Sequence, residues 1–159
     1  MSLLPPLELT ECEGCARELL RQARLDGTTA PDPIEVARAL GLSIVPALRG
    51  PLCGWYDLEA GIIYCHAGRG PDERRDEIAH ELAHVALELG DYALPHDEAS
   101  VDDVKRALLM PRRELWRLLQ TLRVDGPELR QTYARTLPRE RDLRLRQVYA
   151  LMGVRLLPR

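Results

Sequence analysis

The chain has 159 residues, of which 45% are hydrophobic and 30% charged, and its formal net charge is −3. This length is enough for one catalytic domain with a buried core and a modest appendage. No segment approaches the roughly twenty apolar residues of a membrane span, and an N-terminus with two early prolines and no basic start is unlike a signal peptide. The sequence therefore predicts a cytoplasmic protein without a membrane anchor.

The first part of the chain predicts two helices followed by a strand. Apolar residues at helical spacing indicate a helix over residues 8–25, and a second helix over residues 34–40 ends at Gly41. A helix followed by such a stop resembles the start of a helix-turn-helix. Residues 43–46 continue as a strand, however, so we reject that interpretation.

Two further strands follow. Residues 53–58 and 61–66 flank a Glu-Ala-Gly turn and predict a β-hairpin. Together with the strand at residues 43–46, the hairpin predicts a small antiparallel three-stranded sheet.

Four cysteines in a cytosolic chain predict thiols more than a disulfide framework. Cys12 and Cys15 also have the spacing of half a structural zinc site or of a redox pair, but a matching second pair is missing. Cys53 and Cys65 lie on the two arms of the predicted hairpin, where they would face each other.

The next helix is predicted to begin at Pro71, with acidic residues in its first turn, and to end before Gly90. Its apolar residues recur at intervals of four, three and four and form one stripe that can be buried: Ile78, Leu82, Val85 and Leu89.

This helix carries the most informative motif of the chain, His80-Glu81-Leu82-Ala83-His84. Residues four apart lie on one face of a helix, so both imidazoles can bind a single ion. Glu81 lies about 100° around the helix, where it can reach a metal-bound water without binding the metal. Two ligands and a general base are the arrangement of zinc proteases, in which the metal activates the water and polarises the scissile carbonyl.

A catalytic zinc needs a third protein ligand and one open position. The best candidate is Glu98. Asp102 follows one helical turn later and would accept a hydrogen bond from a liganding imidazole, most simply His80, and fix its tautomer. His96 and Glu88 remain competing candidates for the third ligand.

Peptide hydrolysis also needs a donor for the developing oxyanion. Four residues near the motif are open candidates for this role or for substrate binding: Tyr64, His66, Tyr92 and His96. An extended substrate could add to an exposed edge of the small sheet.

The spacing of these residues resembles that of the ImmA/IrrE metallopeptidases over roughly residues 28–111. The shared pattern consists of Arg75, then Ala79 directly before the His-Glu-x-x-His motif, and a closing Leu-Leu-Met-Pro that ends at Pro111. Counting back from Pro111 places Glu98 on the family's third metal ligand and Asp102 on its Asn/Asp position.

The resemblance implies a gluzincin-like metallopeptidase with a zincin-like fold and a specific protein substrate. In that family the substrate is typically a helix-turn-helix repressor, which is cut to derepress stress or mobile-element genes. The chain departs from the family pattern around the site. Asp76-Glu77 stands where a Phe-Thr-like pair is usual, and Val101, Val104 and Lys105 replace Ala, Phe and Ala.

Charge divides the chain into two parts. Residues 1–111 carry a net charge of −10, whereas residues 112–159 carry +7. We expect a metallopeptidase domain over residues 1–111 and a basic helical extension over residues 112–159 that packs on it or adjoins it, or engages an acidic partner. After the helix that carries the His-Glu-x-x-His motif, the sequence predicts four more helices, over residues 97–109, 111–124, 128–136 and 139–152.

These observations predict an α+β, mainly helical fold and a zinc-dependent endopeptidase with one Zn²⁺ per chain. The main alternative is a regulatory module that keeps the fold and the metal but turns over no substrate, and a requirement for Glu81 would distinguish the two. Direct nucleic-acid binding through the Arg-rich extension is disfavoured, because aromatic residues are sparse there and the chain as a whole is acidic.

Overall fold

The computed structural model describes residues 10–28, 30–47, 54–114 and 117. In this part of the chain, helices predominate and pack with a small three-stranded sheet, so the expected α+β, mainly helical fold is confirmed. The elements in chain order are α1 (Glu11–Gln22), α2 (Pro33–Ala39), β1 (Ser43–Ala47), β2 (Trp55–Asp57), β3 (Ile62–His66), α3 (Pro71–Leu89) and α4 (Glu98–Leu109).

Local hydrogen bonds fix the ends of the first two helices. Thr10 and Glu13 form a capping box that starts α1, with each side chain accepting a hydrogen bond from the other residue's backbone. Asp32 accepts a hydrogen bond from the Ile34 amide at 3.0 Å and starts α2. Gly41 ends that helix in a left-handed conformation, with φ +78°. The chain then enters β1 and not a second helix, so the prediction of a strand here in place of a helix-turn-helix is confirmed.

The sheet is mixed, with the strand order β1-β3-β2. β2 and β3 form the expected antiparallel hairpin, in which Tyr56 pairs with Ile63. β1 pairs with β3 in parallel, from Ser43 opposite Ile62 to Ala47 opposite His66. The prediction of an antiparallel sheet was therefore wrong for this pair. β1 and β2 lie on opposite sides of β3. Because β2 runs antiparallel to both of the other strands, β3 runs in the same direction as β1.

Helix α3 lies at the centre and packs against α1, α2, α4 and the sheet. Its predicted apolar stripe is buried at Ile78, Leu82 and Val85, all at most 1% exposed. Leu89, the last residue of the helix, is 53% exposed and lies outside the core. Within the described residues, no helix has both the length and the apolar character that crossing a membrane requires.

Helix α4 begins where the sequence predicts, because the Asp97 side chain accepts a hydrogen bond from the Ser100 amide at 2.8 Å. Val101 and Val104 are fully buried. Beyond α4, Arg112 extends back to α1 and forms an ion pair with Glu13 at 3.0 Å. Residues 112–114 and 117 are helical. The rest of the helix predicted at 111–124, and those at 128–136 and 139–152, lie outside the described residues.

The cysteines that the structure describes, Cys12, Cys15 and Cys65, are free thiols. Cys15 donates a hydrogen bond to the carbonyl of Ala86 at 3.1 Å, and burial raises its pKa to about 11. A thiol with so high a pKa is neither a good nucleophile nor a good redox group. Cys53 lies outside the described residues, so its predicted position opposite Cys65 stays a prediction.

Candidate metal centre

His80 and His84 face one another across a single turn of α3. Their Nε2 atoms lie 3.2 Å apart. Their neighbours Ala79, Glu81 and Ala83 are buried, so the core holds this turn of helix in place while the two imidazoles lie at its boundary with solvent. The i, i+4 spacing thus brings two nitrogen donors to one point, as the motif predicts.

Glu98 completes the group from the first turn of α4. One of its carboxylate oxygens lies 3.7 Å from Nε2 of His80 and the other 4.0 Å from Nε2 of His84. Within the described part of the chain, these are the residues whose donor atoms all lie within 4.8 Å of one another, and they could hold a metal ion. Sequence spacing and geometry therefore select the same three residues.

The donor set and its dimensions fit a small tetrahedral cation. Ligand atoms of a zinc ion with metal–nitrogen distances of 2.0–2.1 Å lie about 3.3 Å apart, close to the 3.2 Å between the two imidazoles. Glu98 is exposed, with 77% of its side chain accessible to solvent, so it can move the remaining few tenths of an ångström at little cost. Three protein ligands also leave one position open, as a catalytic site needs.

The electrostatic environment keeps His84 in the form that binds a metal. Burial lowers its pKa, and the neighbouring His80 and His96 lower it further. An imidazole binds a metal only when it is neutral, because the lone pair is then free. His84 is therefore available as a ligand at neutral pH.

Glu81 is buried directly beside the metal group, with 4% of its surface exposed. Burial raises its pKa to about 7, and the negative charges of Glu77 and Glu98 act in the same direction. Gly54, at the start of the hairpin, packs against this side chain: a Cβ added there would lie 3.3 Å from Cγ of Glu81 and 3.4 Å from Oε1. A carboxyl group with a pKa near neutrality can accept and return a proton at physiological pH.

Two further residues hold His84, and sequence reasoning did not assign either of them to this task. Tyr56 on β2 lies over the ring of His84, with the two centroids 6.0 Å apart and the planes inclined by 22°. Its hydroxyl donates to Glu88, and burial raises its pKa to about 12. On the other side, Nε2 of His96 lies 2.8 Å from Nδ1 of His84.

The orientation of Tyr56 follows from the pairing of the hairpin strands. Side chains opposite one another in a sheet lie on the same face, and Tyr56 pairs with the buried Ile63. The residue therefore faces α3. Only the register of the hairpin shows this, and the sequence does not fix that register.

Of the four proposed donors, only His96 contacts a residue of the metal group. Tyr64 stacks on Trp55 with their ring centroids 4.6 Å apart, on the face of the sheet opposite Ile63, and His66, two residues later, shares that face. Tyr92 packs beside α1, where a Cβ added to Gly14 would lie 3.1 Å from its hydroxyl. The structure thus does not bring Tyr64, His66 and Tyr92 to the metal group.

Asp102 does not form the hydrogen bond to His80 that the sequence suggests. Its carboxylate is half exposed and lies 3.9 Å from the Lys105 ammonium, and no hydrogen bond joins it to His80 among the described residues. Its effect on metal affinity stays a prediction. Glu88, a competing ligand in the sequence, instead accepts the hydrogen bond of Tyr56.

Comparison with known proteins identifies no family for this chain. No protein-family model matches it, and no curated protein matches it. The resemblance of its motif spacing to the ImmA/IrrE metallopeptidases therefore stays a prediction.

Proposed function

We propose that this protein is a zinc-dependent endopeptidase that cleaves a specific intracellular protein. One observation carries the proposal: His80, His84 and Glu98 converge on one point, and the buried carboxyl of Glu81 lies on the same turn of helix. Two histidines, a carboxylate and a neighbouring glutamate are the ligand set and the base of zinc peptidases. The zincin-like fold that the resemblance to the ImmA/IrrE metallopeptidases implies is part of this proposal.

The proposed cofactor is one Zn²⁺ per chain, held by His80, His84 and Glu98. When bound, a zinc ion at such a site acidifies a water molecule and polarises a peptide carbonyl. The three side chains carry one negative charge in total when both imidazoles are neutral. A divalent cation therefore keeps a net positive charge, which favours activation of a neutral substrate.

Glu81 acts as the proton carrier of the proposed reaction. Its burial beside the two histidines suits a group that accepts a proton from water and then donates it to the leaving amine. Glu81 lies on α3 between the two histidines, so a zinc ion held by them would place its bound water near this carboxyl group. Gly54 packs closely beside it: a Cβ added there would lie 2.8 Å from the carbonyl oxygen of Tyr64 and 3.3 Å from Cγ of Glu81.

An extended substrate segment can approach along β2. This strand lies at one edge of the sheet, and the described residues place no further strand beside it. Its Tyr56 faces His84, so a strand that adds to this edge would pass next to the metal group. By its resemblance to the ImmA/IrrE metallopeptidases, the substrate is a helix-turn-helix repressor.

The decisive experiment compares wild type with Glu81→Gln, which keeps the shape of the side chain but cannot accept a proton. Both proteins, loaded with zinc, are incubated with the soluble proteome of the host cell, and newly formed N-termini are identified by mass spectrometry. We expect wild type to generate a small set of new N-termini that are absent with Glu81→Gln or after chelation. Elemental analysis should find one zinc per chain in both proteins. Glu59→Gln, a change in the exposed turn of the hairpin, should behave like wild type.

The alternative, a metal-binding regulatory module of the same fold, gives a different result. Wild type and Glu81→Gln would then both bind zinc, and neither would generate new N-termini. That outcome would exclude the peptidase and leave the metal centre in place.

A further inference from the structure

We infer that His96 is a positioning residue for the metal centre: it accepts a hydrogen bond from Nδ1 of His84 and thereby directs Nε2 of His84 to the metal. This inference rests on the metal centre of the proposed function but does not require that the protein cleave peptides. It gives His96 a role different from those of metal ligand and oxyanion donor, which the sequence left open.

The assignment follows from the atoms in contact. Nε2 of His84 lies 3.2 Å from Nε2 of His80 and 4.0 Å from Glu98, so it is the nitrogen that faces the metal group. The contact with His96 involves the other nitrogen, Nδ1, at 2.8 Å. A neutral imidazole carries one N–H and one lone pair. If Nε2 is to offer a lone pair to the metal, the proton must lie on Nδ1, and that N–H donates to His96.

The position of His96 excludes it as a second ligand to the same ion. The two nitrogens of an imidazole point to opposite sides of the ring, so a group bonded to Nδ1 of His84 lies away from an ion bound at Nε2. His96 is accordingly absent from the group whose donor atoms lie within 4.8 Å of one another. The rings of His84 and His96 are inclined by only 29°, with centroids 5.1 Å apart. This is the arrangement of two imidazoles joined edge to edge by a hydrogen bond.

The backbone around His96 explains how it can hold a ring on another helix. His96 directly precedes Asp97, whose side chain caps α4, and Glu98 is the first residue of that helix. The same short segment thus places both the third metal donor and the partner of His84. Ligating histidines usually donate their second N–H to such a partner, and loss of the partner typically weakens metal binding by about 10–100-fold.

The test measures zinc affinity by competition with a chromophoric chelator, in wild type, His96→Ala, His96→Gln and His66→Ala. We expect His96→Ala to bind zinc about 10–100-fold more weakly than wild type. His96→Gln should stay within about threefold of wild type, because the amide oxygen of glutamine can accept the same hydrogen bond. His66→Ala removes a histidine from the opposite face of the sheet and should leave the affinity unchanged.

X-ray absorption spectroscopy of the zinc-loaded proteins provides a second measurement, which distinguishes a positioning residue from a metal ligand. We expect two histidine ligands in wild type and still two in His96→Ala. A fall by one would make His96 a ligand and overturn the inference. An unchanged affinity in His96→Ala, or an equal loss in His96→Gln, would also overturn it.

The same measurements distinguish a failure of the proposed function from a failure of the role inferred for His96. If wild type bound no zinc, both the metal centre and the role of His96 would be excluded. If zinc bound with the expected dependence on His96 but no Glu81-dependent cleavage occurred, only the peptidase would be excluded.

Discussion

Glu81 carries a carboxyl group that lies almost entirely out of water. Burial opposes its ionisation, and the nearby carboxylates of Glu77 and Glu98 oppose it further, so its pKa rises from 4.5 to about 7. The folded protein thus binds this proton more tightly than the unfolded chain does. The burial that raises this pKa therefore lowers the free energy of unfolding at any pH at which Glu81 is ionised in the folded protein.

This cost predicts a pH dependence of stability in metal-free protein. Because the folded pKa is raised, the free energy of unfolding should fall as the pH rises from about 4.5 to about 7. Glu81→Gln does not titrate, so it should gain roughly 2 kcal/mol over wild type between pH 5 and pH 8. Urea unfolding in the presence of a chelator at both pH values measures the difference. Glu59→Gln is the control, and an equal pH dependence in wild type and Glu81→Gln would contradict the prediction.

At the scale of the elements, an ion pair between Asp76 and Lys105 joins the two helices that carry the metal group. Nζ of Lys105 on α4 lies 2.9 Å from the Asp76 carboxylate on α3, and only 11% of the lysine side chain is exposed. Asp76 precedes His80 by one turn. Each of the two charges would be unfavourable beside an apolar partner, so each compensates the other.

Loss of one member of this pair should be costly, and loss of both should cost less. Asp76→Ala leaves Lys105 with Asp102 at 3.9 Å and should lower the free energy of unfolding by about 1–2 kcal/mol, less than for a fully buried pair because Asp76 is partly exposed. Asp76→Ala combined with Lys105→Met should recover most of this loss. Chemical denaturation of the two single variants and the double variant measures the coupling.

Asp103→Ala provides the matched control for this cycle. It removes an exposed ion pair with Arg106 on the same helix, and we expect a cost below about 0.5 kcal/mol. A cost for Asp76→Ala no greater than that for Asp103→Ala would show that the pair between α3 and α4 is not stabilising.

At the scale of the molecule, the metal group combines side chains from two separate helices. His80 and His84 come from the central helix α3, whereas Glu98 comes from α4 beyond the connecting segment. The three side chains converge only when α3 and α4 pack, and the unfolded chain has no such site. A bound ion should therefore stabilise the folded state by mass action.

This coupling predicts a large thermal shift. Zinc at 1,000 times its dissociation constant should add about 4 kcal/mol to the free energy of unfolding and raise the Tm by roughly 8–16 °C. His84→Ala should remove the shift, and His66→Ala should retain it. Differential scanning fluorimetry with zinc and with chelator measures both. A shift of the same size in His84→Ala would place the zinc elsewhere.

The sequence by itself determined the features that depend on short-range periodicity and capping. Helix α3 runs from Pro71 to Leu89, as its start and stop residues predict, and the i, i+4 spacing of His80 and His84 is enough to bring their nitrogens together. The start of α4 follows from Asp97 in the same way. Glu98 was preferred over His96 and Glu88 because of its spacing from Asp102 and its place in the ImmA/IrrE-like pattern, and the geometry selects it again.

Only the tertiary structure decided which side chains surround the ligands, because those contacts join residues whose relative position depends on packing and register. The parallel pairing of β1 with β3 arises from the strand order, which no local signal encodes. The same register turns Tyr56 toward His84 and Tyr64 away from it. The connecting segment brings His96 to Nδ1 of His84, and the packing of α3 on α4 pairs Lys105 with Asp76 while Asp102 stays half exposed.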